Sequence, residues 1–398
     1  MEIHESREDE ILTGACQDWL ERKCGSEVQS FPLYDRATEM IGERVTPQIY
    51  EEFCNSLQGD LRYENRILEN QYRLYSVNGQ DVYVYYSAAE QQMRVICVEK
   101  MPEDLLTKPV WNGEPICEPV FDVLNMHYEL QCGQNNGLGL VFILEDGSFL
   151  IYDGGFKEED GERLFQYLKE RNQRSDGILI TAWILTHGHE DHYGAFLWLT
   201  KKYGSLVRVR YFLFNPVLNC REGTDYLCSV ANTVAVAYPA AERVVPHTGM
   251  KFRFCGLTLE ILFTHEDILP LPVTCFNDSS TVTKVTFSNG VQCLIMGDMQ
   301  SRSRISLLQN VMGEYLKSDI LQVPHHGDSG GTEVLYELID PSVVIYSTSN
   351  EKFERISQKD WSLAPNAFLL NELHVKHVII ADERVQTVFG EHRFGQTE

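Results

Sequence analysis

The stretch Thr186-His187-Gly188-His189-Glu190-Asp191-His192-Tyr193-Gly194 decides how this 398-residue sequence is interpreted. It follows an apolar run, Ile178 to Leu185, that predicts a buried strand, and it precedes a helical pattern from Ala195 to Tyr203. Imidazole and carboxylate groups both bind zinc at about 2.0–2.2 Å, so such a loop suits one or two divalent ions. A histidine-rich surface loop is the weaker interpretation, because only 12 of the residues are histidine. We therefore expect a metal site whose first ligands are His187, His189, Asp191 and His192.

Two later strand ends supply further side chains that bind metals. The apolar run that begins at Cys293 ends in a Gly-Asp dipeptide at Asp298, where a carboxylate can bridge cations about 3.5–4 Å apart. His325 and His326 follow the predicted strand Ile320 to Val323. A Gly-Asp dipeptide alone is a common turn, and a single buried histidine is commonly structural. Both functional interpretations therefore depend on the first motif.

Together these motifs resemble those of the metallo-β-lactamase-fold hydrolases. The resemblance rests on Thr186 to His192, on Leu294 to Asp298 and on Val323 to Gly327, and it extends from about residue 124 to 390. Within that group the sequence is most similar to the hydrolase domains attached to bacterial competence (DNA-uptake) membrane proteins and to phosphorylcholine esterases. The resemblance implies an α/β fold of the αββα type, in which helices sandwich two mixed sheets.

The resemblance also implies how the ligands are shared between two metal ions. One site would use His187, His189 and His326, and the second would use Asp191 and His192, with Asp298 bridging the ions. We expect two divalent cations, zinc in the first instance, with manganese and iron as alternatives.

Catalytic roles follow from the same resemblance. Asp191 and Asp298 would orient the attacking water or receive its proton. His325 would contact the substrate or donate a proton. Asp153, which ends a weaker match beginning at Leu150, would support the metal loop from behind.

Many members of the family supply one more histidine before the Gly-Asp strand. His247 and His265 are the candidates in this chain, and neither lies in a recognisable motif. The second metal site is therefore expected to be one protein ligand short.

Residues 1–110 have a different pattern from residues 120–398. Two stretches with helical spacing precede a hairpin pattern around Asn78-Gly79, and the first unit holds one histidine and no cluster of metal ligands. We interpret it as an accessory α+β domain and residues 120–398 as the hydrolase domain. Four prolines between Met101 and Pro119 indicate a linker.

The composition limits the partners. With 34 lysines and arginines against 58 aspartates and glutamates the net charge is −24, so nucleic acid, which needs a basic face, is not an expected partner. Without a signal-like start or an apolar run of about 20 residues, we expect no membrane insertion and a cytoplasmic location. The 11 cysteines include no Cys-x-x-Cys pair and fit reduced thiols there. A homo-oligomer formed through the N-terminal domain stays open.

The sequence thus favours a binuclear metal-dependent hydrolase that uses a metal-activated hydroxide. We expect a small-molecule or phosphoester substrate, and the resemblance favours the phosphoester, which would make the protein a phosphoesterase or phosphodiesterase. A lactone, thioester or β-lactam is the alternative, because the same hydroxide attacks a carbonyl and one fold hosts many reactions. A di-iron redox protein on this fold is the second alternative, and a metal-holding protein without turnover is the last.

Overall fold

The structure is a computed structural model, and it describes residues 5–25, 28–98, 113–130, 133–357, 364–382 and 385–389. Most of the predicted linker Met101–Pro119 lies outside these residues, and so does Cys132. Within the described part of the chain, no helix combines the length and the apolar composition needed to cross a bilayer.

The N-terminal part folds into helices and one antiparallel sheet. Its elements are α1 (Glu5–Cys24), β1 (Gln29–Pro32), β2 (Thr38–Gly42), α2 (Pro47–Ser56), β3 (Asp60–Ile67), β4 (Asn70–Val77), β5 (Gln80–Ser87) and β6 (Gln92–Val98). The six strands follow the order β1-β2-β6-β5-β4-β3, which we call the N-terminal sheet. Asn78 and Gly79 both have positive φ angles, as the predicted β4–β5 hairpin requires. The helices pack Leu20 and Phe53 against Val82 and Val84 of β5.

The remaining strands form two larger sheets and a hairpin. Sheet I contains β7 (Val120–Val123), β10 (Gly139–Ile143), β11 (Phe149–Asp153), β12 (Ile178–Ile184), β13 (Val207–Leu213), β14 (Glu242–Val244) and β22 (Gln386–Phe389), and the hairpin is β8 (Met126–Leu130) with β9 (Gly133–Gly137). Sheet II contains β15 (Lys251–Phe254), β16 (Leu257–Phe263), β17 (Val282–Phe287), β18 (Gln292–Ile295), β19 (Ile320–Gln322), β20 (Val343–Tyr346) and β21 (His377–Ile380). The strand order is β14-β13-β12-β11-β10-β7-β22 in sheet I and follows the chain in sheet II.

Helices cover the two sheets from outside. They are α3 (Glu158–Arg171), α4 (Glu190–Tyr203), α5 (Asp225–Ala237), α6 (Arg302–Met312), α7 (Glu333–Ile339), α8 (Asn350–Ser357) and α9 (Ala364–Asn371). Successive side chains of a strand point to opposite faces. Accordingly Leu150 of β11 joins the core between the sheets with Leu259 of sheet II, while its neighbour Ile151 packs with Leu164 of α3 and Phe196 of α4. The αββα fold is therefore confirmed.

The N-terminal sheet packs its second face on loops of sheet II. The Tyr63 hydroxyl donates to the carbonyl oxygen of Gly249 at 2.9 Å, and the Tyr83 hydroxyl donates to that of Thr248 at 2.7 Å. Arg94, which is 1 % exposed, holds the loop after β16. The described residues up to 98 are thus packed on the rest of the fold.

The parallel strands position the candidate site. β11 and β12 run parallel in sheet I, and β18, β19 and β20 run parallel in sheet II. Their carboxyl ends therefore lie along one edge of each sheet. A hydrogen bond from the Thr281 N–H to the carbonyl oxygen of Thr186, 2.9 Å long, joins the two edges.

Candidate metal centre

The six residues predicted as metal ligands all lie at the carboxyl ends of parallel strands. Four of them lie in the loop and the first turn of α4, directly after β12. The fifth follows β18, and the sixth follows β19. They are His187, His189, Asp191, His192, Asp298 and His326.

Four of these residues converge on one point. The Oδ2 atom of Asp298 lies 3.2 Å from Nε2 of His192 and 3.1 Å from Nε2 of His326. The Oδ2 atom of Asp191 lies 3.6 Å from Nε2 of His326. One ligand atom of each residue lies within 4.8 Å of the others. Two imidazoles and two carboxylates in this arrangement suit a divalent cation.

His187 and His189 form an adjacent pair. Nε2 of His187 faces Nδ1 of His189 at 3.1 Å, and the ring centroids of His187 and His192 are 4.1 Å apart. Burial, and then the neighbouring His192, hold the pKa of His187 well below its ordinary range, so its ring is neutral. A neutral imidazole keeps the lone pair that a metal needs.

The structure groups the ligands differently from the expected scheme. β19 lies beside β18 in sheet II, so the end of β19 places His326 next to Asp298 and not with the His187/His189 pair. Among the described residues, the group around Asp298 comprises two imidazoles and two carboxylates, and the pair lies beside it. This arrangement differs from the expected sharing, in which His326 completes the site of His187 and His189.

Asp153, at the end of β11, holds the metal loop from behind. Its carboxylate accepts hydrogen bonds from the N–H and the hydroxyl of Thr186, both 2.8 Å long. Its Oδ2 atom also lies 2.7 Å from Nδ1 of His192. The outer nitrogen of a ligand histidine is commonly held in this way, which directs the other nitrogen to the metal. Nδ1 of His326 lies 2.8 Å from the carbonyl oxygen of Ser347 and is held similarly.

Three buried ligand atoms lack a hydrogen-bond partner among the described residues: Nε2 of His192, Nε2 of His326 and Oδ1 of Asp298. Buried polar atoms are nearly always paired. The three atoms belong to one cluster of nitrogen and oxygen donors, which is the donor set that divalent transition metals bind. The residues present therefore fit a metal ion.

The histidines and carboxylates of the cluster shift one another's pKa values toward the charged forms. Burial opposes protonation of His326, yet the carboxylates of Asp298 and Asp191 raise its pKa to about 9. Burial opposes protonation of His192 as well, and Asp298, Asp153 and Asp191 raise its pKa well above the ordinary value. Conversely, His326 and His192 keep the pKa of Asp298 far below its usual range against the effect of burial. The carboxylates therefore stay ionised, and they attract positive charge.

The backbone around the site adopts constrained conformations. Asp153, His325 and His326 have φ angles of 56°, 50° and 55°, in the left-handed region. Gly297, before Asp298, has a φ of 55°, and a Cβ atom there would lie 2.9 Å from Oγ of Ser280. Backbone strain of this kind collects at functional sites.

The candidate ligands open onto a cleft with aromatic and acidic walls. The wall residues include Phe156, Tyr193, Tyr226, Phe276, Asn277, Glu190, Glu222 and Asp225. Among the described residues, neither lysine nor arginine lines this cleft. His325 lines it without joining the ligand cluster, and its Nδ1 atom lies 2.6 Å from the hydroxyl of Ser329.

The other candidate histidines lie elsewhere. Nδ1 of His247 lies 2.8 Å from the carboxylate of Glu266, and its ring stacks on Tyr83 of the N-terminal sheet. His265 is buried in the turn after β16. Within the described part of the chain, neither lines the cleft.

One residue at the site has no signal in the sequence. Oε2 of Glu222, in the loop before α5, lies 3.3 Å from Nε2 of His189. A single acidic residue in a polar loop is ordinary, so only the folded chain reveals this contact.

A family profile described as the metallo-beta-lactamase superfamily matches residues 136–347 of the chain. No curated protein matches the chain in sequence.

Solved structures are similar at low identity. A Cronobacter sakazakii (Enterobacter sakazakii) metallo-beta-lactamase with a HARLDQ motif is 14 % identical with a TM-score of 0.28, over 46 % of this chain and 66 % of that one. CmlA, a diiron beta-hydroxylase from Streptomyces venezuelae, is 12 % identical with a TM-score of 0.39, over 68 % of this chain and 54 % of that one. A diphosphatase from the PhnP family is 12 % identical with a TM-score of 0.38, over 68 % of this chain and 98 % of that one. The chain thus spans less than two thirds of the first two proteins.

Proposed function

This chain belongs to the metallo-beta-lactamase superfamily, the metal-dependent hydrolases that its motifs predict, and we propose that it is a binuclear phosphodiesterase. The observation that carries the proposal is the buried cluster of Asp191, His192, Asp298 and His326, whose inward atoms have no other partner among the described residues. The predicted motif residues His187 and His189 lie directly beside it.

One ion would be held by Asp191, His192, Asp298 and His326. The other would be held by His187 and His189, with Asp298 between the two groups. When bound, two divalent ions lower the pKa of water and stabilise charge on the leaving oxygen. The imidazole-rich set favours zinc, and manganese and iron use the same donor types. Elemental analysis of the purified protein distinguishes these metals.

The chain's own groups would orient the attacking water and move its proton. Both carboxylates line the cleft, but the Asp191 side chain is 19 % exposed, whereas that of Asp298 is 3 % exposed. We therefore assign the proton of the attacking water to Asp191, while Asp298 would only hold the ions. His325 would donate a proton to the leaving group, since its ring lines the cleft outside the ligand cluster.

The acidic walls of the cleft favour a diester over a monoester. Glu190, Glu222 and Asp225 would repel the second negative charge of a phosphomonoester, and among the described residues of the cleft neither lysine nor arginine offsets them. A diester carries a single charge. The same walls accept a neutral lactone or thioester, which makes a carbon-ester hydrolase the second candidate.

A substrate panel tests the proposal. We expect metal-loaded protein to hydrolyse bis(p-nitrophenyl) phosphate faster than p-nitrophenyl phosphate, a lactone or a thioester. The double variant His187→Ala/His189→Ala should lose bound metal and activity together. A preference for the lactone or thioester would favour the second candidate, and an unchanged metal content in the double variant would show that the site is wrong.

A further inference from the structure

Three imidazoles of the metal centre have their outer nitrogen held by residues of the neighbouring strand ends. Asp153 holds His192, and Ser347 holds His326. Nδ1 of His187 lies 3.0 Å from the hydroxyl of Thr186. The fourth imidazole is that of His189. Its outer nitrogen, Nε2, faces a group from a separate loop.

That group is the carboxylate of Glu222. Its Oε2 atom lies 3.3 Å from Nε2 of His189 and accepts the Phe276 N–H at 2.6 Å. The Cys275 thiol donates to Oε1 at 3.7 Å. The Phe276 ring meets the His189 ring edge-on, with centroids 5.5 Å apart. Two segments from different parts of the chain therefore fix the carboxylate against the ring.

The two nitrogens of His189 face different partners. Nδ1 faces Nε2 of His187, and both atoms belong to the predicted ligand pair. A neutral imidazole has one N–H and one lone pair. The carboxylate of Glu222 can only accept a proton, so its 3.3 Å contact with Nε2 favours the tautomer with the N–H at Nε2 and the lone pair at Nδ1, toward the metal centre.

A competing arrangement uses the same atoms. His189, Glu222 and Cys275 each offer a ligand atom within 4.8 Å of the other two, so they could hold a metal ion of their own. That ion would need the lone pair of Nε2. An imidazole that binds the inner ion through Nδ1 has no second lone pair unless it loses its remaining proton, so the chemistry favours the hydrogen bond.

We propose that Glu222 is a positioning residue that holds His189 in the tautomer and orientation needed to bind the inner metal ion. The inference rests on the metal centre of the proposed function and is independent of its substrate. His189 is the most exposed of these four imidazoles, with 30 % of its side chain accessible, and it stands outside the group of four potential ligands around Asp298. Its ion is therefore the more weakly bound of the two, and it depends most on such support.

Metal titration of three variants tests this role. Zinc affinity is measured by competition with a chromophoric chelator, without any substrate. We expect Glu222→Ala to weaken one of the two zinc equivalents by about 10–100-fold and to leave the other unchanged. Glu222→Gln should stay close to wild type, because its amide oxygen still accepts the N–H. Asp225→Asn is the matched control, since it removes one negative charge from the same cleft.

The outcomes separate the possibilities. Equal losses in Asp225→Asn and Glu222→Ala would overturn the proposal in favour of a general charge effect, and so would equal losses in Glu222→Gln and Glu222→Ala. If Glu222→Ala does not fold, Glu222→Ser takes its place with the same expected loss, because the shorter side chain does not reach Nε2 of His189. Cobalt loading provides a spectroscopic arm: a thiolate-to-cobalt charge-transfer band that Cys275→Ser removes would establish the competing metal site. Wild-type protein that binds metal but fails to cleave phosphodiesters would contradict the proposed function alone.

Discussion

Asp153 determines which nitrogen of His192 is available to a metal ion. An ionised carboxylate accepts hydrogen bonds only, so the contact of 2.7 Å places the imidazole proton on Nδ1. In the neutral ring that binds a metal, Nε2 then keeps its lone pair, and it faces Asp298 at 3.2 Å. The strained backbone of Asp153 is therefore linked directly to the metal centre.

We expect Asp153→Asn to weaken metal binding by about 10–100-fold. The amide can donate to Nδ1, which moves the imidazole proton to Nε2, the atom that faces the metal. Chelator competition measures the change. Asp122→Asn is the control, because Asp122 of sheet I is similarly buried but accepts a hydrogen bond from the hydroxyl of Tyr167 in α3. Equal affinity in the Asp153 variant and wild type would contradict this role.

The adjacent histidines of the β19 turn should have different functions. His326→Ala removes a nitrogen 3.1 Å from Asp298, so it should lower both metal content and turnover. His325→Ala should keep its metal and lose on the order of 10²–10⁴-fold in turnover, as expected for a general acid. Metal stoichiometry after dialysis against a weak chelator distinguishes the two. Metal loss in the His325 variant alone would reverse the assignment.

The positions of the candidate ligands could be predicted because each lies in a short motif directly after an apolar strand. Their grouping could not, since it depends on which strands are neighbours. His326 joins Asp298 because β19 pairs with β18, and the order of strands in a sheet leaves no trace in local sequence. Glu222 had no signal at all, because its contact with His189 links residues 33 positions apart through an ordinary loop.

At the scale of elements, strands that are buried on both faces could be predicted from the sequence. β12 and β18 are apolar runs because both faces of these central strands are covered, and both were predicted within two residues of their bounds. β3 was missed because it is an edge strand in which charged, exposed residues alternate with buried ones. α5 was missed as well, since its sequence, DYLCSVANTVAVA, is rich in β-branched residues that favour strands.

Lys284 of β17 makes the stability of sheet II dependent on pH. Its side chain is buried beside the carbonyl oxygens of Tyr315 and Lys317. Burial lowers the pKa of Lys284 to about 8, although Glu260 opposes the shift. The ordinary pKa of lysine is about 10.4. Between these values the unfolded chain binds more protons than the folded one, so this residue's contribution to stability rises with pH.

We therefore expect the free energy of unfolding of wild type, relative to that of Lys284→Met, to increase as the pH rises from about 8 to about 10. Below about pH 8 the difference should be constant, because both states then hold the proton. Urea denaturation at several pH values measures it. The exposed Lys317 supplies the control, Lys317→Met, and an equal pH dependence in both variants would contradict the explanation.

At the scale of the whole molecule, the N-terminal sheet is part of the packed structure. Arg94 pairs with Glu39 at 2.9 Å, and it donates to the carbonyl oxygens of Glu266, Asp267 and Leu269 at 2.8–3.1 Å. These carbonyls belong to the loop that leads from β16 of sheet II toward the cleft. The sequence did not predict this contact, because residues 172 and more positions apart make it.

Arg94→Met should lower the free energy of unfolding by about 1–3 kcal/mol, since it leaves three buried carbonyl oxygens without their donor and Glu39, whose pKa burial raises to about 8, without its partner. Urea denaturation measures the loss. The double variant Arg94→Met/Glu39→Gln should recover part of it, because the unpaired charge is then absent. A change of less than about 1 kcal/mol in the single variant would mean that the pair is relaxed or hydrated.

The ligands come from both large sheets: His187 and its neighbours from sheet I, and Asp298 and His326 from sheet II. An ion held there would link sheet I to sheet II and stabilise the interface between them. Ligand at 100 times its dissociation constant stabilises a folded protein by about 2.7 kcal/mol. When metal is scarce in the cell, the interface between the two sheets would open more often, and proteases would cleave the exposed chain there. The abundance of this protein, and not only its activity, should therefore follow the supply of metal.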